Sequence, residues 1–583
     1  MFSLSTISVV GGLLAVYLLY RAALPRPIPG IPYHKASAKS VLGDVPSMMR
    51  ARRESSEVYA WMTAQCVELN SPLIQLFLRP FSRPFVFTTD FREGRDVFMR
   101  RVRDFDRSTF FGHLFNGVLP YHHAAMPTDD TWKAQRRSLS DTISARLSPV
   151  FVCKVAGPQI YSAALDLVEL WSLKSHLAHG HAFTASKDIH HAALNAIWAA
   201  TFGSTIGTTK SQTQLLRTLT NLKQPTDGQL PASFPHARTP AAFDAVMTLT
   251  NSIEYILSSP LPRFFLPCEP PKTTEDTLIY ESLEKAREEF SKSPDDLEPV
   301  KSVIDNFLRR ELATAKKEER ISQYNTRASR DEIFGILIAG HEITATTITW
   351  GLKFLTDCQD VQQKLRRSLR EAMLGPASSG ANPSVEEIVQ CSILYLDAII
   401  EEILRCGNTG PANMRVAKAD TELLGHVIPK GTNVFFMSNG PSYKAAPMVV
   451  DETSRSKSSQ EAKHKTGVSD TSNVAAFMPE RWLTLNEKGS LEFDSRAGPS
   501  TPFGLGPRGC LVRKNLAYLE LRIIIVLSIW NFEFRKAPAN LSGYGAHQGG
   551  HQASGSKILQ ARFLASKSQA RLLLYQTISS KRR

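Results

Sequence analysis

Cys510 is the residue whose surroundings point most clearly to chemistry. It lies in TPFGLGPRGCLVRKNLAYLELR (501–522), where Gly504, Gly506 and Gly509 let the backbone bend and approach a flat partner closely. A helix beginning after the cysteine would aim its N–H groups and the positive end of its dipole at the sulfur, and both stabilise a thiolate. Such a thiolate could be a nucleophile or a metal ligand, or the residue could be a buried thiol. The sequence indicates no histidine partner of the kind that a nucleophile needs.

Three charged residues have the types and spacing of an ion-paired network. Glu402 and Arg405, in AIIEEILRCG, are three residues apart and therefore share one face of a helix. Arg481, in FMPERW, follows a proline in a loop and could reach Glu402 through forked hydrogen bonds from its guanidinium. The alternative for any one pair is a surface salt bridge, which contributes little to stability.

Cysteines and histidines give little support for a metal site built from protein ligands alone. The seven cysteines are scattered without a C-x-x-C pair, which argues against a disulfide framework and a zinc knuckle and fits thiols kept reduced on the cytosolic side of a membrane. HEITA (341–345) begins like the zinc signature H-E-x-x-H but ends in alanine. His547 and His551 are four apart, yet the glycines around them argue against a helix that would aim both at one ion.

The elements that must position these residues are mostly helical. Apolar residues recur at three- and four-residue spacing in three long stretches, which predicts helices over 186–203, 331–355 and 385–407. Strand patterns are fewer and shorter, at 73–78, 84–89 and 432–438. Two polar or glycine-rich stretches, 451–473 and 537–557, are predicted to be loops that do not pack on the domain.

Composition narrows the class of protein. The chain has 583 residues, 42% of them hydrophobic, so it can bury a large core. Its net charge is +14, but no run of Lys or Arg dominates, so nucleic acid is the least favoured partner. An anionic membrane surface or an acidic partner protein fits the excess better.

The N-terminus carries a targeting pattern. Residues 1–20 hold no charged side chain and are long enough, as a helix, to span a bilayer of about 30 Å. Arg21 and Arg26 follow, so the positive-inside rule places the rest of the chain in the cytoplasm. A cleaved signal peptide is the alternative, but its positive charge would precede the apolar core. We predict a transmembrane anchor at 1–20, a proline-rich hinge at 21–35 and one catalytic domain at 36–583.

Four motifs in order resemble those of the cytochrome P-450 family. They are Phe503-x-x-Gly506-x-Arg508-x-Cys510, Trp132-x-x-x-Arg136, Glu402-x-x-Arg405 and Phe477-x-Pro479-Glu480-Arg481-Trp482. Each is weak alone, but four in the family's order make coincidence a poor explanation. The resemblance covers everything after the hinge. It implies a mainly α (α+β) fold with a large helical domain and a smaller β-rich domain, preceded by one transmembrane helix.

The resemblance also implies a cofactor and its contacts. Haem b would bind with the Cys510 thiolate as the axial ligand of its iron, and the same loop would contribute Phe503 and Gly506. The residues implied to hold the haem propionates are Trp132, Arg136, Arg415 and Arg508. The triad of Glu402, Arg405 and Arg481 would fix the segment that carries the cysteine loop. Ala339 and Gly340, in LIAGHEITATTITW (337–350), would let a helix pass close over the haem and leave room for O2.

Two positions depart from the family pattern. The family's alcohol directly follows its acid, but here Ile343 follows Glu342 and the hydroxyl moves on to Thr344, about 100° further round the helix. Glu342 and Thr344 remain the predicted catalytic residues, with a water, Glu342 itself or a substrate hydroxyl able to substitute. Val512 stands where the family usually has glycine, and its β-branched side chain adds bulk beside the ligand. Both departures bear on turnover more than on haem binding.

The implied function is that of a membrane-anchored monooxygenase. It would insert one oxygen atom from O2 into a small apolar substrate, and its sequence resembles filamentous-fungal members that make secondary metabolites. NADPH would supply electrons through NADPH-cytochrome P-450 reductase, with cytochrome b5 as a further candidate donor. Localisation would be the endoplasmic reticulum membrane, single-pass, with a cytosolic domain. The alternatives are a haem-thiolate enzyme that dehydrates or rearranges its substrate without a reductase, and a non-catalytic haem protein.

A basic face is predicted to be the surface that binds an acidic reductase. Its candidate residues are Arg137, Lys364, Arg366, Arg367, Arg370, Arg513 and Lys514.

Overall fold

The structure is a computed structural model of the full chain. It describes residues 4–55, 57–108, 110, 112, 115, 118–143, 155–219, 222–257, 272–292, 300–465, 473–510, 515–538 and 560–565.

Helices make up most of the described chain. In order they are α1 Leu4–Ala23, α2 Val45–Ser55, α3 Val58–Glu68, α4 Phe91–Met99, α5 Asp130–Ile143, α6 Gly157–Leu177, α7 Ser186–Phe202, α8 Thr208–Arg217, α9 Ala241–Leu257, α10 Lys272–Lys292, α11 Val303–Lys317, α12 Arg327–Asp357, α13 Gln359–Ala372, α14 Leu374–Ser379, α15 Val385–Gln390, α16 Leu394–Gly407, α17 Lys457–Glu461 and α18 Asn515–Asn531. Short 3-10 turns cover Ser37–Lys39, Glu452–Ser454, Lys463–Lys465, Pro479–Trp482 and Gly506–Arg508.

Strands form a smaller β region. They are β1 Leu73–Leu76, β2 Phe85–Thr88, β3 Phe105–Arg107, β4 Phe183–Thr184, β5 Ala412–Ala417, β6 Thr421–Leu423, β7 His426–Ile428, β8 Asn433–Met437, β9 Leu483–Leu485, β10 Leu491–Phe493, β11 Phe532–Arg535 and β12 Gln560–Ala565. The main sheet has the order β1-β2-β8-β5-β3, with β2 and β8 parallel and the other neighbours antiparallel. The chain is therefore mainly helical with a small β region, as the sequence predicts.

Helix α12 lies at the centre of the helical part. It packs against α7, α16, α18 and α10, and most of its residues are buried. A helix that is covered on nearly every side belongs to the core of a large domain. Thr326 caps its first turn by accepting a hydrogen bond from the Ser329 N–H.

The predicted helices and strands are found with one revision. The helices expected at 186–203 and 331–355 are α7 and α12, and the three expected strands are β1, β2 and β8. The single helix expected over 385–407 is instead two, because the chain is non-helical at 391–393 between α15 and α16. Arg522 of α18 donates to the carbonyls of Ile388 and Cys391, and these side-chain hydrogen bonds stabilise the break.

The polar stretch from Asp451 onward is predicted to be a loop that does not pack on the domain. For its described part this prediction is wrong. Arg455 donates to both carboxylate oxygens of Asp90 at 2.7 Å, and the hydroxyls of Ser456 and Ser458 donate to Asp96 at 2.8 and 2.6 Å. Both aspartates lie at helix α4 and are buried. Charge pairing therefore fixes this segment to the body where apolar burial does not. The other expected loop, 537–557, lies almost entirely outside the described residues.

The N-terminal helix α1 forms as 20 residues, and its side chains from Leu13 to Leu19 are largely exposed. None of the described helices, α1 included, is both long and apolar enough to cross a membrane. The predicted transmembrane helix is thus not found among them.

The proline-rich segment packs on the domain. Ile28 and Ile31 are buried, and the Gln75 side-chain amide binds the N–H and carbonyl of Ile28 and the carbonyl of Ile31, at 2.7, 2.8 and 2.8 Å. Three hydrogen bonds to one buried amide tie this segment to strand β1.

Candidate active site

The loop before Cys510 has a geometry that only glycine allows at one position. Gly506 has φ of +67°, and a Cβ there would lie 2.0 Å from the carbonyl oxygen of Phe98. The Cys510 N–H donates to the Phe503 carbonyl at 2.8 Å, which closes the loop, and Cys510 itself is exposed. The loop therefore rests on the end of α4 and presents the cysteine at its surface.

The residues directly after the cysteine, 511–514, lie outside the described part of the chain. The predicted effect of Val512 therefore stays a prediction. Helix α18 is described from Asn515. The Phe503 ring lies 5.6 Å from the ring of Tyr518, so the loop packs on the first turns of that helix.

Four arginines converge beside this loop, and Trp132 lies among them. The Arg508 guanidinium lies over the Trp132 ring, with its Cζ 4.1 Å from the ring centroid, and that of Arg136 lies 5.4 Å from the same centroid. Arg136 also donates to the carbonyl of Gly509, next to the cysteine. Arg107 and Arg415 are paired opposite each other across strands β3 and β5. The structure thus brings together the four residues predicted to hold propionates, and adds Arg107.

These guanidiniums are short of negative charge. Burial lowers the pKa of Arg415 and of Arg508 to about 10 each, and Arg508 further lowers that of Arg415. Burial and the three neighbouring arginines hold the pKa of Arg107 well below its usual range. Asp106 lies 3.4 Å from Arg508, on which Asp129 also acts, and Arg136 acts on Glu332. Like charges this close lower one another's pKa, and a bound anion would relieve their repulsion.

Two buried donors show where such an anion would bind. Trp132 Nε1 and Arg508 Nη1 have no hydrogen-bond partner among the described residues, although both atoms are buried. Unpaired buried donors are costly and are rare in folded proteins. Two carboxylates brought by a bound group would accept from both donors and neutralise the cluster. The residues present therefore fit haem propionates.

Sequence reasoning missed Arg107 because no local motif contains it. Its partner Arg415 is far away in sequence, and only the β3–β5 register brings the two together.

The triad residues meet in one buried network. Glu402 accepts from Arg405 at 2.7 and 2.8 Å and from Arg481 at 3.0 and 3.1 Å. The indole N–H of Trp482 and the backbone N–H of Met478 add hydrogen bonds of 2.9 and 2.8 Å. Spare donors of the two arginines bind backbone carbonyls, among them those of Tyr443, Val474, Asn473 and Ala476. The motif alone did not reveal that Trp482 donates a hydrogen bond to Glu402.

Helix α12 exposes two residues on an otherwise buried stretch. Ala339 is exposed and Ile343 is 48% exposed, one turn apart on one face. An apolar face of this kind is typical of the wall of a ligand cavity. Thr344 is buried, 5% exposed, so the hydroxyl is turned away from that face. Its catalytic role stays a prediction.

Gly340 serves the packing of helices. A Cβ at this position would lie 2.6 Å from the Ile197 side chain of α7, so its absence lets α12 and α7 approach closely. A contact with the cofactor at Gly340 is thus not needed to explain the glycine.

Glu342 lies between α12 and α7. Its Oε1 is 3.4 Å from His190 Nε2 and 3.5 Å from the Thr346 hydroxyl. His190 was not among the predicted site residues, because it comes from a different helix.

A second cluster joins His122, His123 and Glu332, with ligand-type atoms within 4.8 Å of one another. The N–H of Ala124 donates to His122 Nδ1 at 3.1 Å, so the proton of that ring is on Nε2, which faces the carboxylate at 3.3 Å. His123 Nδ1 lies 2.7 Å from the same carboxylate oxygen. Burial lowers the pKa of His122 to about 4 and that of His123 to about 3. The cluster is a hydrogen-bonded one, with N–H groups where a metal would need lone pairs.

Comparison with known proteins agrees with this geometry. The Cytochrome P-450 family model matches residues 71–443 and 472–541. Cytochrome P-450 monooxygenase GME11363 of Pestalotiopsis microspora is 40% identical over 560 residues, covering 94% of this chain and 96% of that protein. Cytochrome P-450 monooxygenase TRI13 of Fusarium sporotrichioides is 35% identical, covering 92% and 95%. Cytochrome P-450 monooxygenase xilC of Penicillium rubens is 34% identical, covering 92% of each. The chain therefore belongs to the cytochrome P-450 family, whose cofactor is a haem with a thiolate ligand to iron, and it is a monooxygenase of that family.

Proposed function

We propose that the chain inserts one oxygen atom from O2 into a small apolar substrate, in the biosynthesis of a fungal secondary metabolite. The observation that carries the haem-dependent part is the arginine cluster of Arg107, Arg136, Arg415 and Arg508, with two unpaired buried donors beside the Cys510 loop. The exposed apolar face at Ala339 and Ile343 supports an apolar substrate.

Each group of site residues has a role that follows from its position. Haem, when bound, supplies the activation of O2. Cys510 would provide the thiolate ligand of its iron, and the arginines with Trp132 would bind and neutralise the propionates. The Glu402 network holds the segment that leads into the cysteine loop. Ala339 and Ile343 exclude water from the face of α12 where substrate would lie, and Glu342 would hold a proton at the edge of that face.

A reduced, CO-bound difference spectrum tests the proposal. The wild-type protein should show the Soret band of a thiolate-ligated haem, and Cys510→Ser should lose it. A wild-type spectrum without that band would overturn the assignment. The matched control is Cys391→Ser, since Cys391 lies at the break between α15 and α16 and away from the loop.

A second candidate reaction is dehydration or rearrangement of a substrate that already carries oxygen. The observation that favours it is Ile343, whose exposed apolar side chain stands where the family usually has a hydroxyl. Turnover that continues without NADPH and reductase would support this candidate, and turnover that stops would support the monooxygenase.

Electrons would come from NADPH through NADPH-cytochrome P-450 reductase, with cytochrome b5 as a further donor. Of the basic residues proposed to meet it, Arg367 is exposed, while Lys364 pairs with Glu480 at 2.7 Å. Arg366 donates to the carbonyls of Ile529 and Phe532, so it is engaged within the domain. Reversing the charge of Arg367 should therefore weaken reductase binding without unfolding the domain. Reversing the charge of Arg366 should weaken that binding less. Binding measured at low salt would compare them.

Attachment to the endoplasmic reticulum membrane, with the domain in the cytosol, is also part of the proposal. It is supported by the exposed apolar side chains of α1, and by Arg21 at the end of that helix. Flotation of the full chain with membranes, lost on deleting residues 1–20, would support it. A full chain that stays unbound in the same gradient would count against it.

Deletion of the gene in its host, followed by comparison of metabolites, tests the biosynthetic role. Accumulation of a less oxidised compound is the expected result, and an unchanged metabolite profile would contradict the role.

A further inference from the structure

The polar stretch from Asp451 onward contains a docked segment, residues 451–462, that lies against helix α4. The family model matches the chain on both sides of residues 444–471 but not within them, so the docked segment lies outside the pattern which that model describes. Helix α17 of the docked segment packs on α4, and the 3-10 turn Gly506–Arg508 packs on the same helix. Helix α4 thus connects the docked segment to the loop that carries Cys510.

Three carboxylates run along α4 at three-residue spacing and need partners. Asp90, Glu93 and Asp96 are all buried. Burial raises the pKa of Glu93, and the charges of Asp96 and Asp90 add to that rise, while Arg101 counteracts part of it. Buried carboxylates this close to one another cost free energy unless cations or hydroxyls face them.

The docked segment supplies partners for two of these carboxylates. Arg455 donates to both oxygens of Asp90 at 2.7 Å, in the forked geometry that makes arginine–carboxylate pairs strong and fixes their direction. Ser456 and Ser458 donate to one oxygen of Asp96, at 2.8 and 2.6 Å. In the part of the chain that the structure describes, no second cation pairs with Asp90.

The two ends of α4 are held by different parts of the chain. At the C-terminal end, Arg101 donates to the Glu422 carbonyl in β6 at 2.7 Å and lies 3.3 Å from Glu93. At the N-terminal end, Asp90 caps the helix by accepting from the Glu93 N–H at 2.7 Å. This cap is the carboxylate that Arg455 binds, so the docked segment fixes the start of the helix.

The last turn of α4 contacts the candidate haem site in two places. The backbone of the cysteine loop lies directly on it, because a Cβ at Gly506 would clash with the Phe98 carbonyl, and Leu505 packs on the apolar cluster that contains Val97 and Phe98. The Arg415 guanidinium lies over the Phe98 ring, with its Cζ 4.6 Å from the ring centroid. A shift of α4 would therefore displace both the cysteine loop and one arginine of the propionate cluster.

We propose that Arg455 is a positioning residue for the cysteine loop. Its pair with Asp90 fixes α4. Phe98 of that helix in turn fixes Gly506, and Cys510 follows four residues later. The ordering of the loop rests on these contacts alone, whereas the effect on haem rests on the proposed role of Cys510 as the ligand of its iron.

Hydrogen–deuterium exchange of the full chain as purified tests the ordering. The reporter in the loop is the N–H of Cys510, which donates to the Phe503 carbonyl at 2.8 Å. In Arg455→Gln, peptides that cover α4 and residues 501–510 should exchange about 10-fold faster or more, because a charge-assisted pair is lost and the helix opens locally. Peptides of α16, which the Glu402 network holds, should be unchanged.

Matched variants separate positioning from general damage. Arg455→Lys keeps the charge without the fork and should restore part of the protection. Arg496→Gln removes an arginine whose side chain is 71% exposed, and it should leave all these peptides unchanged. If Arg455→Gln does not fold, Ser458→Ala takes its place, since it removes one donor to Asp96 and leaves that of Ser456.

Transfer of haem to an acceptor protein is the second readout. Arg455→Gln should speed it on the order of 3- to 10-fold, with a smaller change in Arg455→Lys, because Arg101 still holds one end of α4. Unchanged transfer beside a faster-exchanging loop would overturn the effect on haem.

Exchange that accelerates in α4 but not in the cysteine loop would overturn the proposal. Equal acceleration of every peptide, α16 included, would do so as well, because it reports a loss of global stability. Absence of the thiolate-type CO band in the wild type would instead be a failure of the proposed function. Exchange of the loop would still decide the positioning role, so the two failures are distinguishable.

Discussion

Two groups of buried arginines lie near the cysteine loop, and their charges are treated in opposite ways. Arg405 and Arg481 surround Glu402, whose oxygens accept from both guanidiniums, an indole and a backbone N–H. In the other group, burial and three neighbouring arginines hold the pKa of Arg107 well below its usual range, and Arg508 keeps an unpaired nitrogen. The first group finds its hydrogen-bond partners within the protein. In the second, the unpaired nitrogen of Arg508 needs a bound anion as its partner. Saturation of hydrogen bonds, more than residue type, thus separates a structural network from a ligand site.

Removal of the central carboxylate should have the largest effect. Glu402→Gln leaves two arginines buried beside a neutral amide, and breaking a buried pair in this way costs about 3–5 kcal/mol. The free energy of unfolding from denaturant titration, with the CO band as the folding check, measures it. Glu401→Gln, on the same turn of α16 and bonded to Tyr518, is the control and should cost clearly less. Equal losses would mean that the network is not what stabilises this region.

Removal of one charge from the second group should separate stability from ligand binding. Arg508→Gln relieves repulsion, so the haem-free protein should keep its stability or gain up to about 1 kcal/mol. Haem retention should fall by on the order of 10- to 100-fold, since a hydrogen bond to a charged group contributes about 1.5–3 kcal/mol. Dissociation of haem to an acceptor protein gives the rate. A variant less stable without haem, yet unchanged in haem retention, would reverse our assignment of the two groups.

His123 reports on the positive field of the second group. Its pKa is lowered to about 3 by burial and by Arg136, Arg107 and Arg508, while that of buried His122 is about 4. Both are neutral when folded but take up protons when unfolded, below the ordinary pKa of about 6.5. Their contribution to stability is therefore present above pH 6.5 and is lost as the pH falls toward 3 to 4.

We expect about 3–4 kcal/mol less stability at pH 5 than at pH 7 from these two histidines, because each costs about 1.4 kcal/mol per pH unit below 6.5. His122→Gln/His123→Gln should flatten that slope, as measured by denaturant titration at the two pH values. Arg107→Gln should flatten it partly, because one source of the field is gone. A slope that is the same in all three proteins would show that the histidines do not sense the arginines.

The smallest effect belongs to a pair beside the first group. Lys364 and Glu480 lie 2.7 Å apart, but about half of each side chain is exposed. Lys364→Gln should change the free energy of unfolding by less than about 1 kcal/mol. A loss comparable to that of Glu402→Gln would mean that exposure does not distinguish the pairs as we argue.

Much of this comparison follows from local sequence and some of it does not. Spacing places Glu402 and Arg405 on one helical face, and the cysteine loop carries its own glycine pattern. Arg107 could not be found in the same way, because strand register alone sets it against Arg415. The contact of Gly340 with Ile197 is likewise a matter of how two helices cross. Local periodicity also joined α15 and α16, since the break between them is stabilised by the distant Arg522.

Arg522 has a consequence for the order in which the protein can be completed during synthesis. The carbonyls of Ile388 and Cys391 stay without these donors until α18 has left the ribosome, more than a hundred residues later. Glu402 must likewise wait for Met478 and Arg481. A nascent chain that stops short of α18 therefore holds an open helix break, and one that stops before Met478 also leaves Glu402 with Arg405 as its partner from this network.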